Sequence, residues 1–497
     1  MGTDGKDCRI SEEELARYRD RGYNDDLLPK SAEKRNMSSI NYFTLWMGSV
    51  HNIPNYAAVG GFLFLGLSPV NVMIALVISA LLVSLFMASN GEAGSRYGIP
   101  FAMHLRSTYG NLGAKAPGII RGVIVAIAWF GLQNYTGSLA LTIIISKVWP
   151  GFLSLGGGAT ILGISVPGLI SFTIFWLLNV AIGLGGGGIL NKFTGILSPV
   201  IYIVIFGMTA WAIWAAGGLA PIFAYSQGEA GSVNPAFIYL MIFSSVLAVW
   251  AAPGASVSDF TQNAESTRSQ QIGQSAGLIV GYMIFAFCSV VILLGSSIAF
   301  NVQEWDITKL INRWDSLPAV IFATLLFLFT TISTNATGNI IPAAYQLSAL
   351  FPKRVTYKKG VIIASIVSFA IMPWNLMANS ASIYEFLNFV GAFLGPVAGV
   401  MIAHYYFVTR RTIDLNALYM DVSRKDSTNP YAGIRWEAIF ATLAGLVISY
   451  AGKIIPALKS LTDISWIVGF ASALIIYTII MKVAARRAGQ SRFSETR

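Results

Sequence analysis

The stretch TLWMGSVHNIPNYAAVGGF, residues 44–62, starts as a membrane-length apolar run and is then interrupted by Gly48, His51, Asn52, Pro54 and Gly60. A second stretch, VLAVWAAPGASVSDF at 246–260, is interrupted in the same way by Pro253 and Gly254. Proline has no backbone donor and glycine loosens a helix, so each break frees backbone polar groups. In hydrocarbon such groups are costly unless they face protein, water or a ligand. Two broken helices at matching places in two halves of a chain are the sequence pointer to a central binding site in a membrane transporter.

The composition agrees. Charged residues make up 11% and hydrophobic residues 55% of the 497, against about 25% and 45–50% in soluble proteins. Apolar stretches long enough to span a bilayer as helices recur twelve times: 41–66, 69–89, 116–146, 160–183, 189–216, 234–256, 273–300, 317–347, 360–378, 382–408, 434–452 and 462–482. The fold class read from this is an all-α polytopic membrane protein. The first 39 residues are polar, so no removable signal peptide is expected there. The two cysteines, Cys8 and Cys288, fall in the polar arm and in a span, which argues against a disulfide framework.

The net charge of +10 is a topology signal and not a nucleic-acid footprint. Basic residues crowd the N-terminal arm (Lys6, Arg9, Arg17, Arg19, Arg21, Lys30, Lys34, Arg35), the C-terminal tail and the loops on the same side as both termini. The opposite loops keep only Lys147, Lys309, Arg313, Lys453 and Lys459, so both termini are expected in the cytoplasm. The expected organisation is a cytoplasmic arm (1–39), a core of ten helices (40–408), a cytoplasmic loop (409–433), two further helices (434–482) and a cytoplasmic tail (483–497). With the breaks in spans one and six, the core divides into two halves of five spans.

Little in the spans could catalyse. His51, His104 and His404 are scattered, and no cluster has metal-ligand spacing. The acidic residues at membrane depth reduce to Asp259 and Glu385. GLGGGGIL at 183–190 lacks the GK[ST] ending of a phosphate cradle and reads as a tight turn between spans four and five. What the spans do carry is uncharged polarity beside aromatics. In AWFGLQNY, Trp129 and Gln133 lie one helical turn apart on one face. Trp250 precedes the second break, and TTISTNATGNIIPAAY brings Ser333, Thr334, Thr337 and Asn339 to membrane depth. Singly, each is ordinary glue between helices or a core ring. Beside two broken helices they read as a ligand site, with indoles to stack on a flat ring and amides to pair with its edge. The implied cargo is neutral, flat and rich in amides. A channel would need a continuous polar pore, and a membrane-embedded enzyme would need paired titratable groups at depth.

LWMGSVHNIPNYAAVGG, AGSRYGIPF, AWFGLQNYTGSLAL, VWAAPGASVSDFTQNA, ISTNATGNIIPAAY and FLGPVAGVMIAHYY together resemble the nucleobase–cation symporter-1 family over about residues 22–482, nearest its bacterial allantoin permeases. The resemblance implies a LeuT-like fold of two inverted five-helix repeats plus two helices. In that fold, helices 1, 2, 6 and 7 form a bundle and helices 3, 4, 8 and 9 a scaffold. It places substrate contacts at Trp129, Gln133, Trp250 and Asn339, and a cation at backbone of Gly48 and His51 with Thr330, Ser333 and Thr334. Two departures from the hydantoin member bear on the pocket. Val249 stands where that member has glycine, and Asn52 beside His51 adds an amide suited to a ring with a ureido arm. The implied function is import of allantoin across a bacterial inner membrane, driven by sodium or a proton, without a cofactor or a nucleic-acid partner. Uracil, cytosine or a substituted hydantoin are the alternative cargoes.

Overall fold

The structure, a computed structural model, describes residues 10–225, 233–304, 306–376, 380–420 and 429–494, with side chains described except at 186–198, 376, 380–388 and 488–494. Glu385, one of the two acidic residues expected at depth, has its side chain outside that set.

Span one is two helices, Ser39–Val50 and Ile53–Leu63. His51 and Asn52 between them leave helical geometry, at φ −84°, ψ 74° and φ −128°, ψ 159°. The local sequence explains the restart. Asn52 caps the second helix, its Oδ1 accepting from Asn55 N at 3.0 Å, and Pro54 sits in the first turn, where a missing N–H costs nothing. Span six is Pro235–Val249, Ala251–Ala255 and Ser258–Thr261, with the irregular backbone starting at Trp250. Pro253 cannot donate back along the helix, and Asn90 Nδ2 donates to the carbonyls of Gly254 (2.8 Å) and Ala255 (2.9 Å).

Seven helices among the described residues are long and apolar enough to cross a membrane, or eight if the bent pair Trp436–Lys453 and Pro456–Asp463 counts as one span. This is fewer than the twelve apolar stretches. The two broken spans are divided into pieces too short to qualify, Pro235–Val249 among them, Pro199–Ala215 is likewise a shorter apolar helix, and Tyr357–Ala370 is 14 residues long.

Two local expectations are corrected. Span four does not begin at 160: Thr160–Ile161 and Ile164–Ser165 pair as a β-hairpin, and the helix starts at Val166. Leu162 and Gly163 both take positive φ (53° and 87°), the conformation a two-residue hairpin turn demands. The glycine run 183–190, read as a tight turn, keeps helical backbone within Val166–Ala215. A straight helix of that length would measure about 75 Å, far beyond one bilayer crossing. Within it, Val166–Gly185 is long and apolar enough to cross a membrane and Pro199–Ala215 is a shorter apolar helix.

Packing groups the helices into two bodies joined by a shared stretch. Thr267–Phe300 lies against Ser39–Val50 and Pro69–Asn90, Ala126–Val148 lies against Leu317–Asn335, and the Val166–Ala215 stretch packs on both groups. Outside both, Ser380–Ala403 packs on Ser465–Ser494 and Trp436–Tyr450. The described part of the polar arm, from residue 10 on, is held down. Tyr18 stacks on Tyr419 with ring centroids 4.8 Å apart, and Tyr419 Oη donates to Leu27 O at 2.6 Å. Asn24 Nδ2 donates to Pro352 O at 3.2 Å, Lys30 N to Gly98 O at 2.9 Å, and Met37 bridges Ala264. The arm thus crosses loops from several pairs of spans.

Candidate substrate site

Between the two bodies lies a cavity of about 40 Å³, in a measure where one water needs roughly 10–15 Å³. Each break contributes a wall: Asn52, Pro54 and Asn55 from span one, and Val249, Trp250, Ala252 and Pro253 from span six. Span three adds Trp129 and Gln133, and span eight adds Thr334, Gly338 and Asn339. All six residues expected to contact substrate therefore line one cavity, and among the described residues none of the lining side chains is charged.

The polar groups there are held in different ways. Gln133 is buried, and its Oε1 has no hydrogen-bond partner. Trp250 Nε1 donates to Tyr282 Oη at 2.5 Å, and its ring meets Trp46 edge-on at 5.8 Å, which fixes the indole plane. Asn339 Nδ2 donates to Asn335 Oδ1 at 2.8 Å. Asn335 in turn donates to Phe130 O, Asn134 Oδ1 and Asn179 Oδ1 at 3.3–3.5 Å. This chain of amides sets the rotamer of Asn339 and leaves its Oδ1 and one N–H for other partners. Asn52 lines the cavity, but its amide is first used locally: Nδ2 donates to Ser49 O at 2.8 Å. Asn55 Nδ2 does the same for Val50 O at 2.7 Å.

Of the expected cation residues on span eight, Thr334 is the one with a bond to the first break among the described residues. Gly48 is buried in the last turn before that break. His51 is fully buried, with Nδ1 against Tyr56 Oη at 3.2 Å and its ring edge-on to Tyr202 and Phe285. It is absent from the cavity lining. Thr334 Oγ1 reaches across from span eight to donate to Ser49 O at 3.2 Å. Ser333 is buried and its hydroxyl has no partner, while Thr330 Oγ1 donates to Phe327 O within its own helix.

Three features escaped the sequence reading. Asn55 is one, although an amide three positions beyond a helix cap can serve a freed carbonyl. Asn134, Asn179 and Asn335 are far apart in sequence, and nothing local announces their meeting. Arg121, within the apolar stretch 116–146, is fully buried and bonds the walls of the cavity from behind. An arginine inside an apolar run was itself the available signal.

The family described as "Permease for cytosine/purines, uracil, thiamine, allantoin" matches residues 29–469. An Escherichia coli (strain K12) protein named "Putative allantoin permease" is 51% identical, covering 96% of this chain and 98% of its own length. The allantoin permease of Bacillus subtilis (strain 168) is 37% identical, with 93% of each covered. Among solved structures, the nucleobase-cation-symport-1 transporter Mhp1, closed with bromovinylhydantoin bound, aligns with a TM-score of 0.77 at 22% identity. That alignment covers 93% of this chain and 96% of Mhp1. The fold is therefore the LeuT-like transporter fold, and the chain belongs to the cytosine/purine, uracil, thiamine and allantoin permease family as a multi-pass membrane transporter.

Proposed function

We propose that this chain imports allantoin across a bacterial cytoplasmic membrane, with both termini inside, by cation-coupled symport. The observation that carries the reading is the unpartnered Gln133 Oε1 in a cavity walled by two indoles and an anchored Asn339. Such a wall favours a flat, uncharged cargo with N–H groups to offer, because a charge would meet no counter-charge there. Allantoin, a hydantoin ring bearing a ureido arm, supplies more amide groups than a plain ring, and Asn52 and Asn55 bring further amides to the cavity edge. The names of the Escherichia coli and Bacillus subtilis relatives support the same cargo. The cavity is smaller than such a ring needs, so seating it requires the broken helices and their side chains to give way.

The coupling ion in this reading is sodium. Backbone oxygens at Gly48 and His51 with Thr330, Ser333 and Thr334 form an oxygen-only set without a carboxylate, which suits a weakly held monovalent cation. The unpartnered buried hydroxyl of Ser333 fits that role, and the Thr334 contact shows span eight at the level of the first break. A cation there joins the bundle to the scaffold and so favours the substrate-bound arrangement by linkage.

The test is uptake of labelled allantoin into cells expressing the protein, competed by hydantoins, uracil, cytosine and amino acids. Competition by unlabelled allantoin and by nothing else supports the proposal. Stronger competition by uracil or a substituted hydantoin moves the cargo, and equal competition by amino acids ends the ring reading. Replacing sodium by choline at fixed pH decides the ion: unchanged uptake, driven by an imposed pH gradient, would assign the proton.

A further inference from the structure

Arg121 lies in the π-helical opening turn of span three, Ile119–Val125, with its side chain wholly buried. Its Nε donates to Ala252 O, and its Nη2 donates to Ser256 Oγ at 2.8 Å and to Gly338 O at 2.7 Å. Ala252 and Gly338 both line the substrate cavity, two residues from Trp250 and one from Asn339. Ala252 O lies in the short helix Ala251–Ala255 that follows the break at Trp250 and also accepts from Ser256 N at 3.3 Å, and Gly338 O lies in the π-turn Ala336–Ile340. A charge buried at this depth is expensive and points to a role beyond packing.

Two sets of bonds reach the second break from opposite bodies. Asn90 to Gly254 and Ala255, and Thr261 to Gly91 O at 2.8 Å, join span six to span two within the bundle. Those from Arg121 cross from the scaffold to the bundle. They do so on the side of the cavity where the N-terminal arm lies, since the preceding helix Phe101–Tyr109 carries Arg106, which bonds Tyr23 of the arm. In a five-plus-five repeat, span one corresponds to span six and span eight to span three. The place where Arg121 meets the second break is therefore the counterpart of the place where span eight meets the first break, at the residues expected to hold the coupling ion.

We infer that Arg121 is a tethered cation that clasps the second break to the scaffold, doing for span six what the mobile coupling ion does for span one. As a positioning residue, it holds the inner end of span six shut and fixes Trp250 relative to Asn339. Its bonds to Ala252 and Ser256 have to be given up for the inner path to open, while the bond to Gly338 stays within the scaffold. Asp259 is an acidic group expected at this depth: its Oδ1 accepts from Phe101 N at 2.9 Å, and its Oδ2 and Arg121 Nη1 both lack partners.

This rests on the chain being an alternating-access transporter but not on its cargo, so the readout uses no substrate. Full-length protein with Cys8 and Cys288 changed to serine carries a single reporter, Ala255→Cys, buried beside the clasp in the parent. Its rate of reaction with a membrane-impermeant thiol reagent applied from the cytoplasmic side is measured in inside-out vesicles. Arg121→Gln should raise that rate by roughly tenfold or more, the scale of one charged hydrogen bond. Arg121→Lys should restore most of the protection. Ser256→Ala, which keeps the charge and removes one bond, should give a smaller rise in the same direction, and it decides the matter if the glutamine variant does not fold. Parent-like labelling in folded Arg121→Gln, or in Ser256→Ala where the glutamine variant does not fold, would overturn the clasp. Equal exposure in Arg121→Lys and Arg121→Gln would overturn the tethered-cation role. Failure of allantoin uptake would leave these rates untouched.

Discussion

Replacing Gln133 by leucine separates a side chain kept for cargo from one kept for the fold. In the structure Gln133 Oε1 is buried without a partner, so the protein already bears the cost of an unsatisfied acceptor. Leucine of similar size removes that cost, and the thermal midpoint should hold or rise slightly. The bound ring, however, loses a partner for one N–H in a dry site, a penalty of about 1–3 kcal/mol, or roughly 5- to 150-fold in affinity. The contrast is Asn335→Leu. Asn335 bonds Asn339, Asn134, Asn179 and Phe130 O, so its loss strands several buried amides and should lower both stability and affinity. The assay pairs thermal unfolding of purified protein with substrate titration by quenching of tryptophan fluorescence. If Gln133→Leu loses as much stability as Asn335→Leu while keeping parent affinity, Gln133 belongs to the scaffold and the reasoning is wrong.

Trp129→Ala and Trp250→Ala should each raise the half-saturation concentration by roughly 5- to 150-fold, the scale of ring stacking on an aromatic face. Trp250→Phe, which keeps a face but loses the bond to Tyr282, should fall between alanine and parent in the same uptake assay. Ser333→Ala should flatten the dependence of substrate affinity on sodium, measured against choline; an unchanged dependence would remove this hydroxyl from the ion site. Tyr419→Ala should free the N-terminal arm by removing both the stack on Tyr18 and the bond to Leu27 O. Faster tryptic cleavage at Arg21 would report that release, and cleavage at the parent rate would show the arm held elsewhere.

The cavity walls were legible because their signals are local. Pro54, Pro253 and the glycines near them interrupt the helix wherever they stand, and Trp129 and Gln133 share a face through helical spacing alone. The apolar runs likewise fixed the membrane class, since they are too long and too uncharged for a soluble core. The same local reading misjudged Val166–Ala215: glycines permit a turn but do not force one, and here the backbone keeps helical bonding through them.

By itself the sequence determined that the chain spans a membrane, that two spans break, and that uncharged polar groups and indoles sit at depth. Only the tertiary structure decided which carbonyls those breaks leave and who satisfies them. Asn52 and Asn55 close over Ser49 and Val50, Thr334 comes from span eight, and Arg121 arrives from span three to hold Ala252, Ser256 and Gly338. A hydrogen bond between residues far apart in the chain depends on how whole helices pack, and that geometry leaves no trace in the spacing of either partner.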